Sequence, residues 1–577
     1  MTKTLKFIAT ILSVLAVLAG CQQKEIIKPS APELKGITLD PRSKTLTVDD
    51  ELELSVILTP ADAQMPEIVW ASLNEKVASV ENGLVTALSE GDARIRVSTK
   101  DGKFTDTCKI KVTAKGSEPE PDPEPDPEPD PDPDPDPDPD PDPDPDDDEP
   151  RVRWADTGAD VPALPSYNKV DSWQDFPRMD ITVSSTIQKD IYQAGSVQFR
   201  DPKNMYSKVS DTGVLSAQIK GRGNSSWDYA EGGKKPYRIK LDVKRKVFGM
   251  GTDRDWILLA DSMDPSQMRN MVAQRIARVI SMEFAPRFRT VELYINNSYK
   301  GTYTLIEHKE TGAGHKVWVD PDSGDGYYVE LDAKGDDPVW FNSSTFNRRF
   351  NFKDPEQPTS AQQTYFKGLI NDTEAAMKAK NWARVHQLIE MDTWIQNYIV
   401  QELTMNVDGN MRLSTYFAKD KDTKLYMPMV WDFDLAFDNA SYLVNYVGGS
   451  RSELYSKWFI KDCGGSEHDS GHPSSHSGHQ TYYQYLFQDS AFVSRLKELW
   501  NLYYPRLQAV DDTYIDGMKE YNAVAFQHSA DEGKNPRIRN YGADNKDFFY
   551  SYGDAIDYMH NFYHNRLEWL NTQINAL

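Results

Sequence analysis

Four polar side chains flank one predicted hairpin and are suited to binding a divalent cation. Asn406 and Asp408 precede the hairpin, and Asp432 and Asp434 follow it directly. In extended chain Asp432 and Asp434 share a face, since they are two residues apart, while Phe433 packs behind them. Carboxylate and amide oxygens suit a hard divalent cation. The pattern therefore predicts metal-assisted phosphoryl transfer.

The predicted hairpin is what brings these four side chains together. Residues 413–419 alternate like a strand, residues 420–423 form a polar turn, and residues 425–431 are predicted as the return strand. Antiparallel pairing about that turn places Leu413 roughly opposite Trp431. The residues just outside the open end of the hairpin are then expected to meet.

The amino-acid composition differs strongly between segments of the chain. Its 577 residues are enough for two or three domains. The formal net charge is −24, but residues 118–149 contain 18 acidic side chains and no basic ones. The acidity is therefore confined to this segment. The chain has no comparable basic block, which argues against a nucleic-acid partner. Alternating proline across residues 116–150 prevents helices and sheet ladders, so this segment is predicted to be a disordered, extended linker.

The N-terminus has the pattern of an export signal. A basic start is followed by an apolar run over residues 7–19, too short for a mature membrane span. Leu18-Ala19-Gly20-Cys21 resembles the bacterial lipobox, which implies that residues 1–20 are removed and Cys21 is lipidated. An ordinary secretory signal with a chance cysteine is the alternative. Residues 21–31 would then be a tether, with the protein anchored by lipid in the bacterial envelope, at the outer membrane or cell surface.

Residues 32–115 are predicted to be all-β. Short β-prone runs are separated by turn signals such as Asn82-Gly83. Three stretches carry a resemblance to the bacterial immunoglobulin-like group 2 domain: Pro60-Ala61-Asp62-Ala63, Val69-Trp70-Ala71-Ser72 and Gly83-Leu84-Val85-Thr86-Ala87. The resemblance implies a sandwich that acts as a spacer or adhesive module.

Residues 151–577 are predicted to form one α+β domain. The first half is rich in strand patterns. The second half contains amphipathic helical patterns over residues 392–405, 492–507 and 555–577.

Four blocks in this domain carry a resemblance to the spore-coat CotH-type kinase family. They are Lys220-Gly221-Arg222-Gly223-Asn224-Ser225-Ser226-Trp227, Asp255-Trp256-Ile257-Leu258-Leu259-Ala260, Val291-Glu292-Leu293-Tyr294-Ile295-Asn296 and the stretch from Glu402 to Asp434. The resemblance implies a remote protein-kinase-like fold that uses ATP with Mg²⁺ or Mn²⁺. It also implies phosphate transfer to a protein hydroxyl, for which serine is the expected residue. Some relatives act as surface adhesins, so a non-catalytic binding protein is the alternative.

The same resemblance suggests cofactor-binding residues. Arg222, Lys235, Arg238 and Lys240 are candidate cations for nucleotide phosphates, and Arg238 and Lys240 would project from one strand face. The alternative is a solvated basic strand face. Glu307 is a candidate partner for the phosphate-binding lysine, or an ordinary edge-strand charge.

Catalytic and metal roles fall on the hairpin residues. By analogy with protein kinases, Asp408 is the candidate base beside Asn406, while Asp432 and Asp434 are the candidate metal ligands. Asp264, Arg269 and Asn270 either line the site or cap the helix that begins near Pro265, and structural support of the site is favoured for Arg269 and Asn270. A histidine-rich loop lies at 464–480. That loop is expected to be a flexible solvent loop rather than a transition-metal site.

Cysteine usage implies no disulfide framework. The three cysteines are Cys21, Cys108 and Cys463, and the last two lie in different predicted domains. Cys108 lies in a strand-like run and is predicted to be a small core residue.

Overall fold

The structure is a computed structural model, and it divides the chain into two units, Met1–Pro137 and Asp138–Leu577. It describes residues 34–40, 43–60, 63–100, 103–113, 170–206, 213–223, 225–228, 233–312, 316–320, 324–333, 337–409, 411–440, 442–447, 450–463, 482–534, 549 and 551–577. The predicted signal peptide, Cys21, the 116–150 linker and the 464–480 loop lie outside the described residues.

The first unit is all-β, as predicted. Its sheets have the strand orders β2-β9-β8-β5, β3-β7-β6 and β1-β4, and β2 runs parallel to β9. The strands are β1 Gly36–Asp40, β2 Ser43–Thr47, β3 Glu51–Glu53, β4 Ser55–Thr59, β5 Ile68–Ser72, β6 Ala78–Glu81, β7 Leu84–Ala87, β8 Gly91–Thr99 and β9 Thr105–Thr113.

Local sequence signals explain this first unit well. Asn82 and Gly83 connect β6 to β7 with positive φ values of 52° and 92°, which is the backbone that tight hairpins require. Cys108 is fully buried in the core beside Ile95 and Val97, as predicted. Burial raises the pKa of its thiol to about 12, with Asp106 adding to the effect. Cys108 is therefore a packing residue.

A closed seven-stranded barrel begins the second unit. The strand order is β10-β11-β12-β13-β14-β16-β15, and β15 closes it by pairing parallel to β10. Tyr237, Ile239 and Leu241 are buried inside, so Arg238 and Lys240 share the outer face of β13, as predicted. The strands are β10 Arg178–Val183, β11 Gln193–Arg200, β12 Leu215–Gly221, β13 Tyr237–Lys246, β14 Thr252–Leu259, β15 Phe288–Ile295 and β16 Ser298–Glu307.

A second, four-stranded sheet has one apolar face and one face that carries both polar and aromatic side chains. Its order is β18-β19-β17-β20, from strands β17 Tyr327–Leu331, β18 Trp340–Asn342, β19 Arg349–Asp354 and β20 Thr415–Lys419. Phe350 and Phe417 belong to the large core that the helices also enter. The alternate positions, Glu330, Asn351 and Tyr416, lie in one cross-strand row on the opposite face.

Helices complete the α+β unit. They are α1 Ser225–Asp228, α2 Arg269–Val279, α3 Ser360–Lys378, α4 Trp382–Leu388, α5 Met391–Thr404, α6 Leu443–Val447, α7 Ile460–Cys463, α8 Tyr482–Leu486, α9 Ser490–Ala509, α10 Ile515–Asp531 and α11 Tyr552–Ala576. A π-helical turn, Val510–Tyr514, joins α9 to α10. The three predicted helices correspond to α5, α9 and α11. Among the described helices, none is long and apolar enough to cross a membrane.

The predicted hairpin is only half regular. The turn is confirmed, since Asp420 N donates to Thr423 Oγ1 at 2.9 Å, and the first arm is β20. The return arm makes only two isolated bridges to β20, Ala418 with Tyr426 and Thr415 with Val430. The prediction of a continuous return strand was wrong because this backbone bonds elsewhere, as in the 3.0 Å bond from Phe284 N to Pro428 O.

Candidate functional site

The candidate site lies where the barrel meets the second sheet. Ile257 and Ile306 on the barrel pack with Tyr328 and Tyr416 of the second sheet and with Trp431. We call this region the cleft.

Asn406 ties the two arms of the hairpin region together. Helix α5 ends at Thr404, and the left-handed φ of 48° at the next residue, Met405, turns the chain out of the helix. The Asn406 Nδ2 atom donates to Asp432 O at 3.1 Å, and Asp408 N donates to Asn406 Oδ1 at 3.3 Å. Both ends of the amide are used in this way, so Asn406 positions the residues around it.

Asn270 fixes the carboxylate of Asp434. Its Nδ2 atom donates to Asp434 Oδ1 at 2.6 Å, and its Oδ1 atom accepts from Phe433 N at 2.9 Å. Phe433 is buried as predicted. Asp432, however, has a left-handed φ of 68°, so the expected extended alternation fails there. The two aspartates reach the same region through a bend in the backbone.

The aspartate pair lacks a compensating charge in direct contact. Burial raises the pKa of Asp434 well above its ordinary value, and Asp432, Asp261 and Asp264 raise it further. Within the described segments, no lysine or arginine forms an ion pair with Asp432 or Asp434. Asp432 accepts a 3.4 Å bond from Ser414 Oγ. A carboxylate held under such repulsion is stabilised by a bound cation.

Two further aspartates, Asp261 and Asp264, lie close to this pair and bond to residues that hold it. Asp261 accepts from Thr304 Oγ1 at 2.7 Å and from Asn270 Nδ2 at 3.2 Å. Asp264 forms a fully buried ion pair with Arg269, whose Nε atom donates to Ala436 O at 3.0 Å. Arg269 and Asn270 therefore support the site structurally, as the sequence favoured. We call Asp261, Asp264, Asp432 and Asp434 the aspartate cluster.

Arg222 faces the aspartate pair from the loop after β12. Burial lowers the pKa of its guanidinium, while Asp432 and Asp434 act in the opposite direction. The loop is tightly packed: a Cβ at Gly221 would lie 2.2 Å from the Trp227 ring, and Gly223 has a φ of 81°. Glycine at both positions lets Arg222 approach the cleft.

Lys309, Glu330 and Lys353 form a second charged group, which we call the lysine–glutamate cluster. Lys309 Nζ lies 3.5 Å from Glu330 Oε1, and Lys353 Nζ lies 3.1 Å from Glu330 Oε2. The Tyr416 hydroxyl also donates to Glu330. Lys309 Nζ lies 4.3 Å from the centre of the Tyr416 ring and 5.3 Å from that of Trp431. These contacts hold an ammonium group at the cleft.

The pKa values of this cluster reflect its pairing. Burial lowers the pKa of Lys309 to about 8, although Glu330 opposes that shift. Burial also opposes ionisation of Glu330, yet Lys309 and Lys353 lower its pKa below the ordinary value. Glu330 is therefore ionised at neutral pH.

Some sequence-predicted cofactor residues lie elsewhere or are already paired. The Lys235 Nζ atom lies 4.2 Å from the centre of the Trp227 ring. Its neighbour Lys234 is the buried lysine, and its Nζ atom donates to Gln267 Oε1 at 2.9 Å. Burial lowers the pKa of Lys234 to about 8, with Asp261 opposing. Neighbouring lysines on an extended chain point to opposite sides, and sequence alone did not show which one points inward.

The other predicted residues have partners of their own. Glu307 is buried and pairs with Arg287 at 2.8 Å, so its partner is an arginine and not the phosphate-binding lysine that the resemblance implied. Arg238 binds Asp255 through two hydrogen bonds of 2.8 and 2.7 Å. Lys240 lies on the same barrel face, opposite Asp255 in the strand register.

Sequence reasoning missed the lysine–glutamate cluster. Its signal was present, since Glu330 interrupts the apolar strand Tyr327–Leu331 and Lys309 follows Glu307 by two residues. A charge inside a buried strand is seldom left without a partner. The partner itself, however, comes from another strand and is visible only in the fold.

The described residues fit a divalent metal and a polyphosphate. Asp432 and Asp434 supply hard oxygen ligands without direct ion pairs, which suits Mg²⁺ or Mn²⁺. Arg222 and Lys309 both interact electrostatically with Asp432, which places two cations near the same carboxylate. Such a combination accommodates a metal together with an anionic ligand.

Comparisons with known proteins first identify the smaller unit. The bacterial Ig-like domain (group 2) family matches residues 33–110. The "Ig-like virion protein" of Serratia phage KSP90 is 31% identical over 80 residues, which cover 14% of this chain and 31% of that protein. An uncharacterized protein of Bacillus cereus is 26% identical over 97 residues, covering 16% of this chain and 74% of that protein. The chain thus matches less than a third of the phage protein.

Similarity to solved structures is weak, whereas the family match of the larger unit is extensive. Domains 1–6 of the surface layer protein SbsC match with 11% identity over 39% of this chain and 24% of that chain, and the TM-score of 0.14 supports no argument about fold. The CotH kinase protein family matches residues 219–570, more than half of the sequence and all of the cleft residues described above. The chain therefore belongs to the CotH kinase protein family.

Proposed function

We propose that the cleft binds ATP with Mg²⁺ or Mn²⁺ and transfers the terminal phosphoryl group to a protein hydroxyl, with serine as the expected acceptor. One observation carries this proposal: Asp432 and Asp434 lie side by side without an ion pair among the described residues, while Arg222 and Lys309 interact electrostatically with Asp432. Metal ions and polyphosphate would complete this charge distribution.

Asp432 and Asp434 would hold the metal, which when bound neutralises charge that develops on the phosphates. Asn270 keeps the Asp434 carboxylate in one orientation, and Asn406 keeps the backbone at Asp432 in place. A ligand held in this way loses less conformational freedom when the metal binds.

Lys309 and Arg222 would bind the phosphate oxygens. Lys309 is held by Glu330, a pairing of the kind that orients the phosphate-binding lysine in protein kinases. Arg222 has a planar guanidinium suited to two phosphate oxygens at once. The roles proposed from sequence for Lys235 and Glu307 therefore pass to Lys309 and Glu330.

Asp408 would accept the proton of the acceptor hydroxyl. Its side chain is partly exposed and lies 3.7 Å from Arg412, and its backbone is fixed by Asn406. The hydroxyl oxygen would form a bond to the terminal phosphorus as the bond to the bridging oxygen breaks. ADP would leave, and the hydroxyl proton would pass to the Asp408 carboxylate.

The test is nucleotide binding followed by phosphate transfer from labelled ATP to envelope proteins or to the protein itself, with Mg²⁺ or Mn²⁺. Asp434→Asn should lose metal-dependent binding. Asp372→Asn is the matched control, since it makes the same chemical change at an exposed ion pair with Arg384. If the unmodified protein binds no nucleotide with either metal, the kinase proposal fails.

A binding protein on a kinase-derived scaffold is the second candidate. The Ig-like domain favours it, because such domains serve as spacers or adhesive modules and this one matches its family over residues 33–110. Retained adhesion to a surface partner by Asp434→Asn protein, together with absent nucleotide binding by the unmodified protein, would support this candidate.

We also propose that Cys21 carries lipid and anchors the protein in the bacterial envelope. The support is the apolar run that ends at Leu18-Ala19-Gly20-Cys21. Mass spectrometry of the mature N-terminus tests the cleavage. Cys21→Ser protein that stays fully bound to membranes would contradict the anchor.

A further inference from the structure

A histidine and two carboxylates meet on the outer wall of the barrel, apart from the aspartate cluster. Asp255 lies on β14, and His308 and Glu310 directly follow β16. Trp256 pairs with Glu307 in the strand register, which brings Asp255 beside His308. One potential ligand atom from each of the three residues lies within 4.8 Å of the other two.

His308 presents an unused ligand atom to this group. Its side chain is only 15% exposed, and its Nδ1 atom is buried without a hydrogen-bond partner. That atom lies 3.9 Å from Glu310 Oε2, too far for a hydrogen bond. An imidazole nitrogen is a common ligand of divalent transition metals.

The direct ion pairs of this region do not satisfy all of its carboxylates. Arg238 binds Asp255, while Lys316 lies 2.6 Å from Glu310 and 3.2 Å from Asp253. Three carboxylates therefore share two cations in direct contact. An ionised carboxylate has lone pairs beyond those that a bidentate arginine occupies, so Asp255 and Glu310 can accept a further ligand bond.

We propose that Asp255, His308 and Glu310 form a site for a transition-metal divalent cation, with Zn²⁺ as the best chemical match. Bonds from Zn²⁺ to nitrogen and carboxylate oxygen are about 2.0–2.2 Å, so one ion can span a gap of about 4 Å. The distance from His308 Nδ1 to Glu310 Oε2 is 3.9 Å. A nitrogen ligand favours Zn²⁺ over Mg²⁺ or Ca²⁺. The site is distinct from the Mg²⁺ or Mn²⁺ ligands proposed at Asp432 and Asp434.

The position of this site gives the ion a structural role. It would join β14 to the segment that leaves β16, and Lys309 is the residue next to His308. Fixing that segment would restrict the movement of Lys309 at the cleft. This role goes beyond the proposed transfer reaction and holds even if the cleft binds its ligand without catalysis.

The experiment measures bound zinc by equilibrium dialysis and metal analysis of the full-length protein. All variants carry serine in place of His468, His472, His476 and His479, so that any zinc bound by this histidine-rich segment is excluded from the count. His308→Phe keeps a planar ring but removes the ligand, and Glu310→Gln keeps the side-chain shape. Each is expected to lose about one equivalent of zinc relative to the background protein.

His386→Phe is the matched control, since this histidine pairs with Asp489 far along the chain and is partly exposed. It should retain the full zinc content. Unchanged zinc content in both His308→Phe and Glu310→Gln would overturn the proposal. If His308→Phe fails to fold by circular dichroism, Glu310→Gln decides the outcome.

The two proposed metal sites can be tested independently of each other. Asp434→Asn should lose Mg²⁺-dependent nucleotide binding and keep the zinc equivalent. His308→Phe should show the opposite pattern: it should lose the zinc equivalent and keep Mg²⁺-dependent nucleotide binding. Loss of the same zinc equivalent in Asp434→Asn would show that the zinc occupied the aspartate cluster, and the His308 site would then be rejected.

Discussion

The aspartate cluster and the lysine–glutamate cluster line the same cleft, but they differ in how their carboxylates are compensated. In the lysine–glutamate cluster, Glu330 contacts two ammonium groups, and its pKa is lowered despite burial. In the aspartate cluster, Asp434 contacts the neutral amide of Asn270, and its pKa is raised. Glu330 is paired with two cations, whereas Asp432 and Asp434 form no ion pair among the described residues.

This contrast indicates which cluster serves stability and which serves ligand binding. A completed ion pair is costly to break because the remaining charge stays buried. An uncompensated carboxylate can be neutralised with little loss of stability, but it cannot then attract a metal. Substitutions that remove a negative charge should therefore have opposite consequences in the two clusters.

The largest expected effect is the loss of metal-dependent binding in Asp434→Asn. Loss of a residue that only orients a metal ligand lowers metal affinity about 10–100-fold, so loss of a direct ligand should exceed about 100-fold. Its unfolding free energy should change by less than about 1 kcal/mol, or rise, because repulsion within the cluster falls. Metal titration and urea unfolding measure the two quantities. A strong loss of stability would break the comparison.

Next in size is the loss of stability in Glu330→Gln. Lys309 then loses its carboxylate partner, while Lys353 keeps only Asp337, and we expect the unfolding free energy to fall by about 3 kcal/mol. Urea unfolding of the larger unit measures the change. Glu390→Gln is the control, since Glu390 lies 4.0 Å from exposed Lys424 and should cost less than about 0.5 kcal/mol. Equal losses in both variants would contradict the role of burial.

Asn270→Ala should produce an intermediate effect on the aspartate cluster alone. Asp434 would lose the 2.6 Å bond that fixes its carboxylate, so metal affinity should fall about 10–100-fold. The fold should lose about 1–3 kcal/mol, because Phe433 N also loses its buried acceptor. Asn371→Ala, which removes a bond to Ser344 N at an exposed position, is the control and should leave metal affinity unchanged.

The smallest expected effect is the pH dependence of stability and metal affinity that arises from Asp434. The folded pKa of Asp434 is raised above its unfolded value of about 3.9, so the folded state binds more protons between the two values. The stability of the metal-free protein should fall, and its metal affinity should rise, as pH rises through that window. Asp434→Asn should remove both trends.

Lys309 should determine how nucleotide affinity changes at alkaline pH. Its pKa of about 8 means that the ammonium loses its proton above that pH, and nucleotide affinity should then decline. Binding measured from acid to alkaline pH should therefore pass through a maximum. Lys309→Arg stays charged over this range, and its affinity should not decline above pH 8; a decline of equal size would assign the alkaline limb to another group.

Sequence patterns predicted the local elements and failed where partners come from distant strands. The helix at residues 392–405 follows its apolar stripe and is observed as Met391–Thr404. The sequence named Lys235 among the candidate phosphate-binding cations, whereas the structure buries its neighbour Lys234 and places Lys235 over the Trp227 ring. Glu307, a candidate partner for the phosphate-binding lysine, pairs with Arg287. Adjacent side chains on an extended chain alternate, and the pattern alone does not say which side faces the cleft.

The sequence by itself determined the two folded units, the CotH family and the aspartates near the hairpin, because these depend on local pattern and motif order. Only the tertiary structure decided how the charges are paired. Lys309 reaches Glu330 across two sheets, and Asn270 reaches Asp434 over 164 positions along the chain. Such contacts depend on how strands and helices pack, and that packing sets which carboxylates are compensated and which need a cation.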